Sequence, residues 1–161
     1  MFYEDLFKEL NKCHVNYMVV GGVALVLHGL VRLTADLDLM VYLEKKNLLT
    51  FIQLMDKLGY KPKVPVKATS LIDPETRKMW MDEKNMKVFA FYHPKDPIAL
   101  IDVFINEPID YMKAKKNSIK IKSGNVAIPV ISIDDLIKLK ELSGRAQDIA
   151  DISGLEEIKK I

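Results

Sequence analysis

The stretch from Gly21 to Val41 reads GGVALVLHGLVRLTADLDLMV and places two aspartates, Asp36 and Asp38, in an otherwise apolar segment. Aspartate is depleted in strands and is rarely buried without a partner. Residues two apart in a strand point to the same face, so we expect the two carboxylates side by side and the intervening leucines in the core. Their repulsion raises the pKa of at least one carboxyl, and a divalent cation would remove that conflict. The segment predicts either a solvated sheet face or a cation site.

The composition limits the classes of protein to which such a site could belong. The 161 residues are 49% hydrophobic and 29% charged, with a formal charge of +2. This is enough chain for one domain with a core, and too little charge to attract nucleic acid or a membrane except through a local patch. The single cysteine, Cys13, excludes an intrachain disulfide and fits a reducing compartment. With acids at the N-terminus and no apolar run of membrane-spanning length, we expect a cytoplasmic protein without a membrane partner.

The hydrophobic periodicity predicts alternating strands and helices, and therefore an α/β domain. Gly124-Asn125 indicates a hairpin turn, and Pro129 suggests that the second strand of that hairpin lies at a sheet edge. A capping box at Ser132 predicts a helix to about Leu142, and a second one predicts a break of the tail near Gly154. The other expected elements are helices near 2–13, 23–30 and 48–58, a short helix from Pro74, and strands near 17–20, 36–41, 87–92 and 99–105.

A third carboxylate, Asp102, lies in the apolar run ALIDVFIN. If that run pairs beside the strand of Asp36 and Asp38, the three acids could hold two metal ions roughly 4 Å apart. Alternatively, Asp102 caps a strand end or forms a salt bridge. The two unexplained acids nearby favour the metal site, and hard oxygen ligands favour Mg²⁺.

Gly21 and Gly22 lie between a predicted strand and a predicted helix. Glycines there allow a backbone to approach phosphate closely, and the first turn of a helix offers amide donors. A tight turn is the simpler explanation of two glycines alone. Here they are followed, after thirteen residues, by Asp36, which gives a strand, a glycine turn, a helix and an acidic strand in order.

That order resembles the nucleotidyltransferase superfamily, whose fold is shared with the palm of polymerase β. The matching motifs are Val20-Gly21-Gly22, Asp36-Leu37-Asp38 and Ile101-Asp102-Val103. The fuller pattern, which adds His28, Arg32 and Thr34, is similar to a bacterial and archaeal subgroup related to abortive-infection toxins. The resemblance implies a mixed β-sheet with flanking helices (α/β, or α+β) in one nucleotidyltransferase domain spanning residues 1–161.

The resemblance continues into the segment IDDLIKLKELSGRAQDIADISGL, which looks like the helix of the subgroup that carries a lysine, a Gly-Arg and two spaced aspartates. Helical periodicity independently places Lys140 on the apolar stripe and Lys138 on the other side, so Lys140 either snorkels or reaches a polar site.

Gln147 stands where relatives have a basic residue, which weakens any phosphate contact assigned to that turn. Arg145 could substitute, or it could lie at the surface; Arg32 could bind phosphate or be exposed. The two aspartates are expected to be helix caps or partners of Arg145: Asp148 and Asp151.

The resemblance implies a metal-dependent enzyme. Asp36, Asp38 and Asp102 would bind Mg²⁺ or Mn²⁺, and Asp102 would also deprotonate the acceptor hydroxyl. A nucleoside monophosphate would pass from an NTP, expected to be ATP, with release of pyrophosphate. The candidate phosphate-binding residues are Gly21, Gly22, Arg32, Lys140 and Arg145.

Three interpretations of the function remain open, and two of them differ in the acceptor. The subgroup resemblance suggests a toxin-type enzyme, of the kind found in toxin–antitoxin pairs, that modifies tRNA or protein. A small-molecule adenylyltransferase of the antibiotic-modifying type is the enzymatic alternative, and a nucleotide-binding or partner-binding module without catalysis is the non-enzymatic one. Because the chain is shorter than typical toxin-type relatives, a homodimer is one way to complete the site.

Overall fold

The computed structural model describes residues 3–161, so the start of the helix expected near residue 2 lies outside the described residues. The helices are α1 (Glu4–Lys12), α2 (Gly21–Leu27), α3 (Lys45–Lys57), α4 (Pro74–Lys84), α5 (Tyr111–Asn117), α6 (Ile133–Ser143) and α7 (Ala146–Lys159), with a 3₁₀ helix at Ala68–Ile72. The strands are β1 (Tyr17–Val20), β2 (Leu37–Val41), β3 (Lys61–Pro62), β4 (Val88–His93), β5 (Asp96–Phe104), β6 (Ile119–Ser123) and β7 (Val126–Val130).

The strands of residues 3–161 form one seven-stranded sheet in the order β3-β4-β5-β2-β1-β7-β6. β2 lies at its centre, parallel to β5 and antiparallel to β1. Since β1 is parallel to β7 and β4 is antiparallel to β5, the sheet is mixed. The mixed sheet with flanking helices confirms the expected α/β class.

The hydrophobic core lies between the sheet and its helices. α2 packs on β1 and β2, whereas α1 packs on β7 and α3. Four of the helices begin at a side chain that accepts a backbone N–H of the first turn, which satisfies donors that would otherwise be unpaired. The expected cap at Ser132 is one of them, accepting the N–H of Asp135 at 3.1 Å.

Two local predictions are wrong. The tail does not break near Gly154, because α7 continues from Ala146 to Lys159. A Cβ at Gly154 would lie 2.8 Å from Cδ2 of Leu30, so this glycine permits close packing within a helix. The strand that contains Pro129 is not at an edge either, because β7 lies between β1 and β6. Its pairing with β1 involves only Val130, after the proline, so the missing N–H interrupts no bond on that side.

None of the helices in residues 3–161 is long and apolar enough to cross a membrane.

Candidate active site

The three candidate acids lie at the centre of the sheet. Asp38 of β2 pairs in register with Asp102 of the parallel strand β5, and Asp36 comes directly before β2. We call Asp36, Asp38 and Asp102 the acidic cluster. The pairing on which the metal site depends therefore occurs, and it brings residues 64 positions apart in the sequence onto neighbouring strands.

The apolar neighbours of the acids fix the face on which they lie. Leu37, Leu39, Ile101 and Val103 are completely buried, whereas Asp38 and Asp102 are partly exposed. Strand alternation produces this pattern, since the leucines and their β5 partners enter the core and the acids point to the other face. The predicted separation of carboxylates from core leucines is confirmed.

The carboxylates of the acidic cluster repel one another. Burial raises the pKa of Asp38 to about 7, with further contributions from the charges of Asp102 and Asp36. Burial also raises the pKa of Asp102, and the charge of Asp36 adds to that shift. At neutral pH the cluster therefore holds its full negative charge only at a cost in free energy, and a cation placed among the acids would remove that cost.

The glycine turn is packed directly against the acidic cluster. Gly21 has φ of 67°, and a Cβ at this residue would lie 2.1 Å from Oδ2 of Asp38. The backbone N–H of Gly22 donates to Asp38, and a Cβ at Gly22 would lie 2.6 Å from Oγ1 of Thr34. Two independent requirements, a left-handed backbone and close approach, thus demand glycine here. The packing role of Thr34 is one that the sequence motif did not reveal.

The candidate phosphate-binding cations lie in a second group of charges, which we call the paired cluster. Nζ of Lys140 lies 3.0 Å from Oδ2 of Asp151 and 3.3 Å from Oδ1 of Asp148. Arg32 also bonds to Asp151, and Nε of Arg145 lies 3.2 Å from Oδ2 of Asp148. The paired cluster comprises Arg32, Lys140, Arg145, Asp148 and Asp151.

The positions of these cations test the predicted helical phase. The side chain of Lys140 is 8% exposed and that of Lys138 is 63% exposed, as the apolar stripe of α6 predicts. The positive charge of Lys140 lowers the pKa of Asp38, so the paired cluster lies within electrostatic range of the acidic cluster. Asp148 is the expected partner of Arg145, whereas Asp151 instead joins Arg32 to Lys140.

The acidic cluster has the ligand chemistry of a divalent-cation site, although its side chains are not arranged as a complete one. Within residues 3–161, no group of three or more histidine, cysteine, aspartate or glutamate side chains stands in an arrangement that could hold a metal ion as it is. The donor chemistry nevertheless fits Mg²⁺, because Asp38 and Asp102 are paired carboxylates whose pKa values are raised and Asp36 adds its charge to both. Two protein carboxylates with substrate phosphates are the usual ligands of this ion.

Two surface grooves in the described part of the chain lie away from the acidic cluster. One, of about 460 Å³, is lined by residues that include Tyr42, Arg77 and Glu107. The other, of about 650 Å³, is lined by residues that include Tyr60 and Phe91. The acids line neither groove, and their side chains lie on the partly exposed face of the sheet.

Comparison with known proteins bears on the fold. No protein-family model matches the chain, and no curated protein sequence matches it. The lincosamide antibiotic adenylyltransferase LnuA, solved with lincomycin bound, is similar with a TM-score of 0.60 at 20% identity over 98% of this chain and 94% of that chain. The chain has the nucleotidyltransferase fold.

Two further solved structures share this fold. An antigenic nucleotidyltransferase-like protein from Paracoccidioides brasiliensis matches with a TM-score of 0.61 at 17% identity, over 96% of this chain and 73% of that chain. ANT(2'')-Ia, solved in complex with adenylyl-2''-tobramycin, matches with a TM-score of 0.56 at 12% identity, over 98% and 90%. The similar structures thus include a lincosamide antibiotic adenylyltransferase and an antibiotic-resistance factor.

Proposed function

We propose that the protein transfers a nucleoside monophosphate from an NTP, ATP in the first instance, to a hydroxyl group of a small molecule, with release of pyrophosphate. The observation that carries this proposal is the register pairing of Asp38 with Asp102 beside Asp36, directly against the Gly21-Gly22 turn. The pairing gathers the acids that a two-metal phosphoryl transfer requires on a face open to solvent.

The acids of the cluster divide the chemistry between them. Mg²⁺ held by Asp36, Asp38 and Asp102 would neutralise the triphosphate and polarise the α-phosphate. Asp102 takes the proton of the acceptor hydroxyl as its oxygen forms a bond to the α-phosphorus. The bond from that phosphorus to the bridging oxygen breaks on the opposite side, and pyrophosphate leaves with the electron pair. Asp102 is assigned this role because it lies on β5, on the side of β2 away from the Gly21-Gly22 turn.

The paired cluster supports the binding of the triphosphate. Its three cations exceed its two carboxylates by one charge, and Lys140 already acts electrostatically on Asp38. The side chain of Arg145 is 70% exposed, so it can turn toward a ligand without losing burial. We assign the triphosphate to Arg32, Lys140 and Arg145, beside the backbone of Gly21 and Gly22.

The acceptor is assigned to the small-molecule class. The supporting observation is that the fold likeness covers 98% of this chain and 94% of LnuA, an antibiotic adenylyltransferase of nearly the same extent. ANT(2'')-Ia, which was solved with an adenylylated antibiotic, matches over 90% of its own length. The tRNA or protein acceptor expected of a toxin-type enzyme has only the sequence resemblance in its favour.

Nucleotide binding tests the proposal before the acceptor is known. ATP with Mg²⁺ at a hundredfold excess over Kd should stabilise the fold by about 2.7 kcal/mol, which corresponds to roughly 5–10 °C in Tm for a chain of this length. Differential scanning fluorimetry with ATP alone, Mg²⁺ alone and both together measures the effect. We expect the full shift only with both, since ATP alone meets the uncompensated charge of the acidic cluster.

The matched control is Asp134→Asn, which changes an exposed aspartate outside both clusters. It should keep the full shift with ATP and Mg²⁺, whereas the double variant Asp36→Asn, Asp38→Asn should lose it. A double variant that responds as the parent does would refute the assignment of the nucleotide to the acidic cluster and would favour a binding module.

A further inference from the structure

A row of residues crosses the sheet at the level of the acids. Lys63, which directly follows β3, donates its backbone N–H to the carbonyl oxygen of Ala90 at 2.9 Å. Ala90 pairs with Asp102, which in turn pairs with Asp38. Paired residues on neighbouring strands point to the same face, so Lys63 shares its face of the sheet with the two acids.

The side chain between Lys63 and Asp102 is only a methyl group. With strands about 4.8 Å apart, the Cα atoms of Lys63 and Asp102 are separated by roughly 10 Å, and the lysine stem can extend over Ala90. Burial and Asp36 raise the pKa of Asp102, and the charge of Lys63 lowers it. The ammonium group of Lys63 thus acts electrostatically on the acid that would deprotonate the acceptor.

Lys61, two residues before Lys63, lies in a neighbouring row of paired residues in which a large side chain takes the place of Ala90. Lys61 pairs with Tyr92, and Tyr92 pairs with Leu100. The phenol ring of Tyr92 therefore stands between Lys61 and the centre of the sheet, where the Lys63 row has only a methyl group. Lys61 and Lys63 are both exposed lysines of one short segment, but only Lys63 has an open path to the acids.

The face that carries this row is open. Over residues 88–92 of β4 and 99–104 of β5, side chains alternate between buried and partly exposed. The partly exposed set surrounds Asp102 with apolar and aromatic groups, which suits the carbon skeleton of a small molecule: Val88, Ala90, Tyr92, Leu100 and Phe104.

The two sides of the acidic cluster serve different reactants. The glycine turn follows β1 on one side of Asp38, and α6 with Lys140 follows β7, the strand beyond β1, whereas Lys63 lies on the far side of Asp102, beyond β4. In-line transfer places the leaving pyrophosphate and the attacking hydroxyl on opposite sides of the α-phosphorus. With the triphosphate on the β1 side, the side of Lys63 is left for the acceptor.

We propose that Lys63 determines acceptor specificity, by binding a negatively charged group, a carboxylate or a phosphate, of a small acceptor and directing its hydroxyl toward Asp102. This inference rests on the proposed function. Asp96, the other acid of β5, does not oppose it, since it lies six residues from Asp102, about 20 Å along the strand.

The test uses the full chain with α-labelled ATP, Mg²⁺ and a cell extract. The extract is separated into macromolecules and small molecules, and the small molecules are split by ion exchange into anionic, neutral and cationic fractions. The parent and Lys61→Met should label a compound from the anionic fraction. Lys63→Met should lower that labelling at least tenfold, and Lys63→Glu should lower it further. Phosphatase treatment of the fraction beforehand removes the labelling if the anionic group is a phosphate and preserves it if the group is a carboxylate.

Two controls separate this inference from the proposed function. The Tm shift with ATP and Mg²⁺ should be equal in the parent, Lys63→Met and Lys61→Met, since Lys63 is not assigned to the nucleotide. With that shift intact, equal labelling by the two lysine variants overturns the role of Lys63 alone. Label in the neutral, cationic or macromolecular fraction only, or in none, overturns the anionic acceptor. Absence of the shift in the parent overturns the proposed function, and this inference with it.

Discussion

Burial raises the pKa of aspartates in both the acidic cluster and the paired cluster, but the net shifts in the two clusters are opposite. Burial alone would raise the pKa of Asp148, but hydrogen bonds from Ser143, Arg145 and Lys140 outweigh it and lower that pKa to about 2. Within residues 3–161, Asp38 forms no such ion pairs, and burial, with the charges of Asp102 and Asp36, raises its pKa to about 7. Hydrogen bonds from charged and polar partners therefore offset the effect of burial at Asp148, whereas the N–H of Gly22 and the charge of Lys140 are too weak to offset it at Asp38.

The difference in pKa follows from a difference in partners, because the acids of the paired cluster form ion pairs within the described part of the chain and those of the acidic cluster do not. Among residues 3–161, each acid of the paired cluster has two ion-pair partners, whereas no ion pair joins the acidic cluster to a lysine or arginine. A carboxylate that is paired in the folded state stabilises that state, whereas one held among like charges destabilises it. Replacing aspartate by asparagine should therefore have opposite effects in the two clusters.

The largest expected effect is on catalysis. Asp36→Asn, Asp38→Asn and Asp102→Asn should each lower nucleotidyl transfer by about 10³-fold, because each removes charge that would hold the cation against the triphosphate. Label transfer to the acceptor fraction measures the rate, and circular dichroism checks the fold. Asp134→Asn should transfer at the parent rate. Parental turnover in any two of the three variants would mean that the acidic cluster is not catalytic.

The second expected effect is a loss of stability in the paired cluster. Asp148→Asn leaves Lys140 with one carboxylate in a buried site, which should lower the free energy of unfolding by about 2–3 kcal/mol. Because the pKa of Asp148 is lowered, this loss should be complete above pH 4 and should shrink as the pH falls toward 2. Urea unfolding at pH 7 and at pH 3 measures both values. A variant as stable as the parent at pH 7 would show that the ion pairs contribute nothing net.

The smallest expected effect has the opposite sign. The pKa of Asp38 is raised to about 7 in the folded state, so the folded state binds more protons than the unfolded state between about pH 4 and pH 7, and stability falls as the pH rises through that window. Asp38→Asn should therefore raise the free energy of unfolding at pH 8 by about 1 kcal/mol, or roughly 2–4 °C in Tm, without metal.

At pH 4 the difference in Tm between the variant and the parent should be much smaller than at pH 8, because Asp38 is protonated in the folded state and partly protonated in the unfolded state there. Melting curves from pH 4 to pH 8 compare the two proteins. A constant difference in Tm across that range would mean that Asp38 does not titrate as its surroundings require.

The central features could be predicted because their signal is local. Apolar alternation around Asp36 and Asp38, and again around Asp102, predicts central strands whose acids share a face. The phase of α6 likewise distinguishes Lys140 from Lys138, because helical periodicity is strong over eleven residues. The arrangement of the site therefore follows from short stretches in which the pattern agrees with the fold.

The remaining features depend on contacts between distant residues. The bond of Arg32 with Asp151 joins positions 119 apart, and no local pattern selects that partner over Arg145. Lys63 follows a strand of only two residues, too short for any periodicity to place it beside Ala90. The predicted break at Gly154 is wrong because a glycine that allows close packing and a glycine that ends a helix look alike in sequence.

The contacts between α7 and the segment before β2 also set an order of events during translation. Arg32, Leu30 and Gly29 emerge from the ribosome early, yet their partners Asp151, Gly154 and Ile158 are made much later. At the usual 5–20 residues per second, the 119 residues between Arg32 and Asp151 take roughly 6–24 s to synthesise. During that interval Arg32 and Leu30 lack the partners that α7 supplies, so the segment before β2 is anchored only after the last helix has been made.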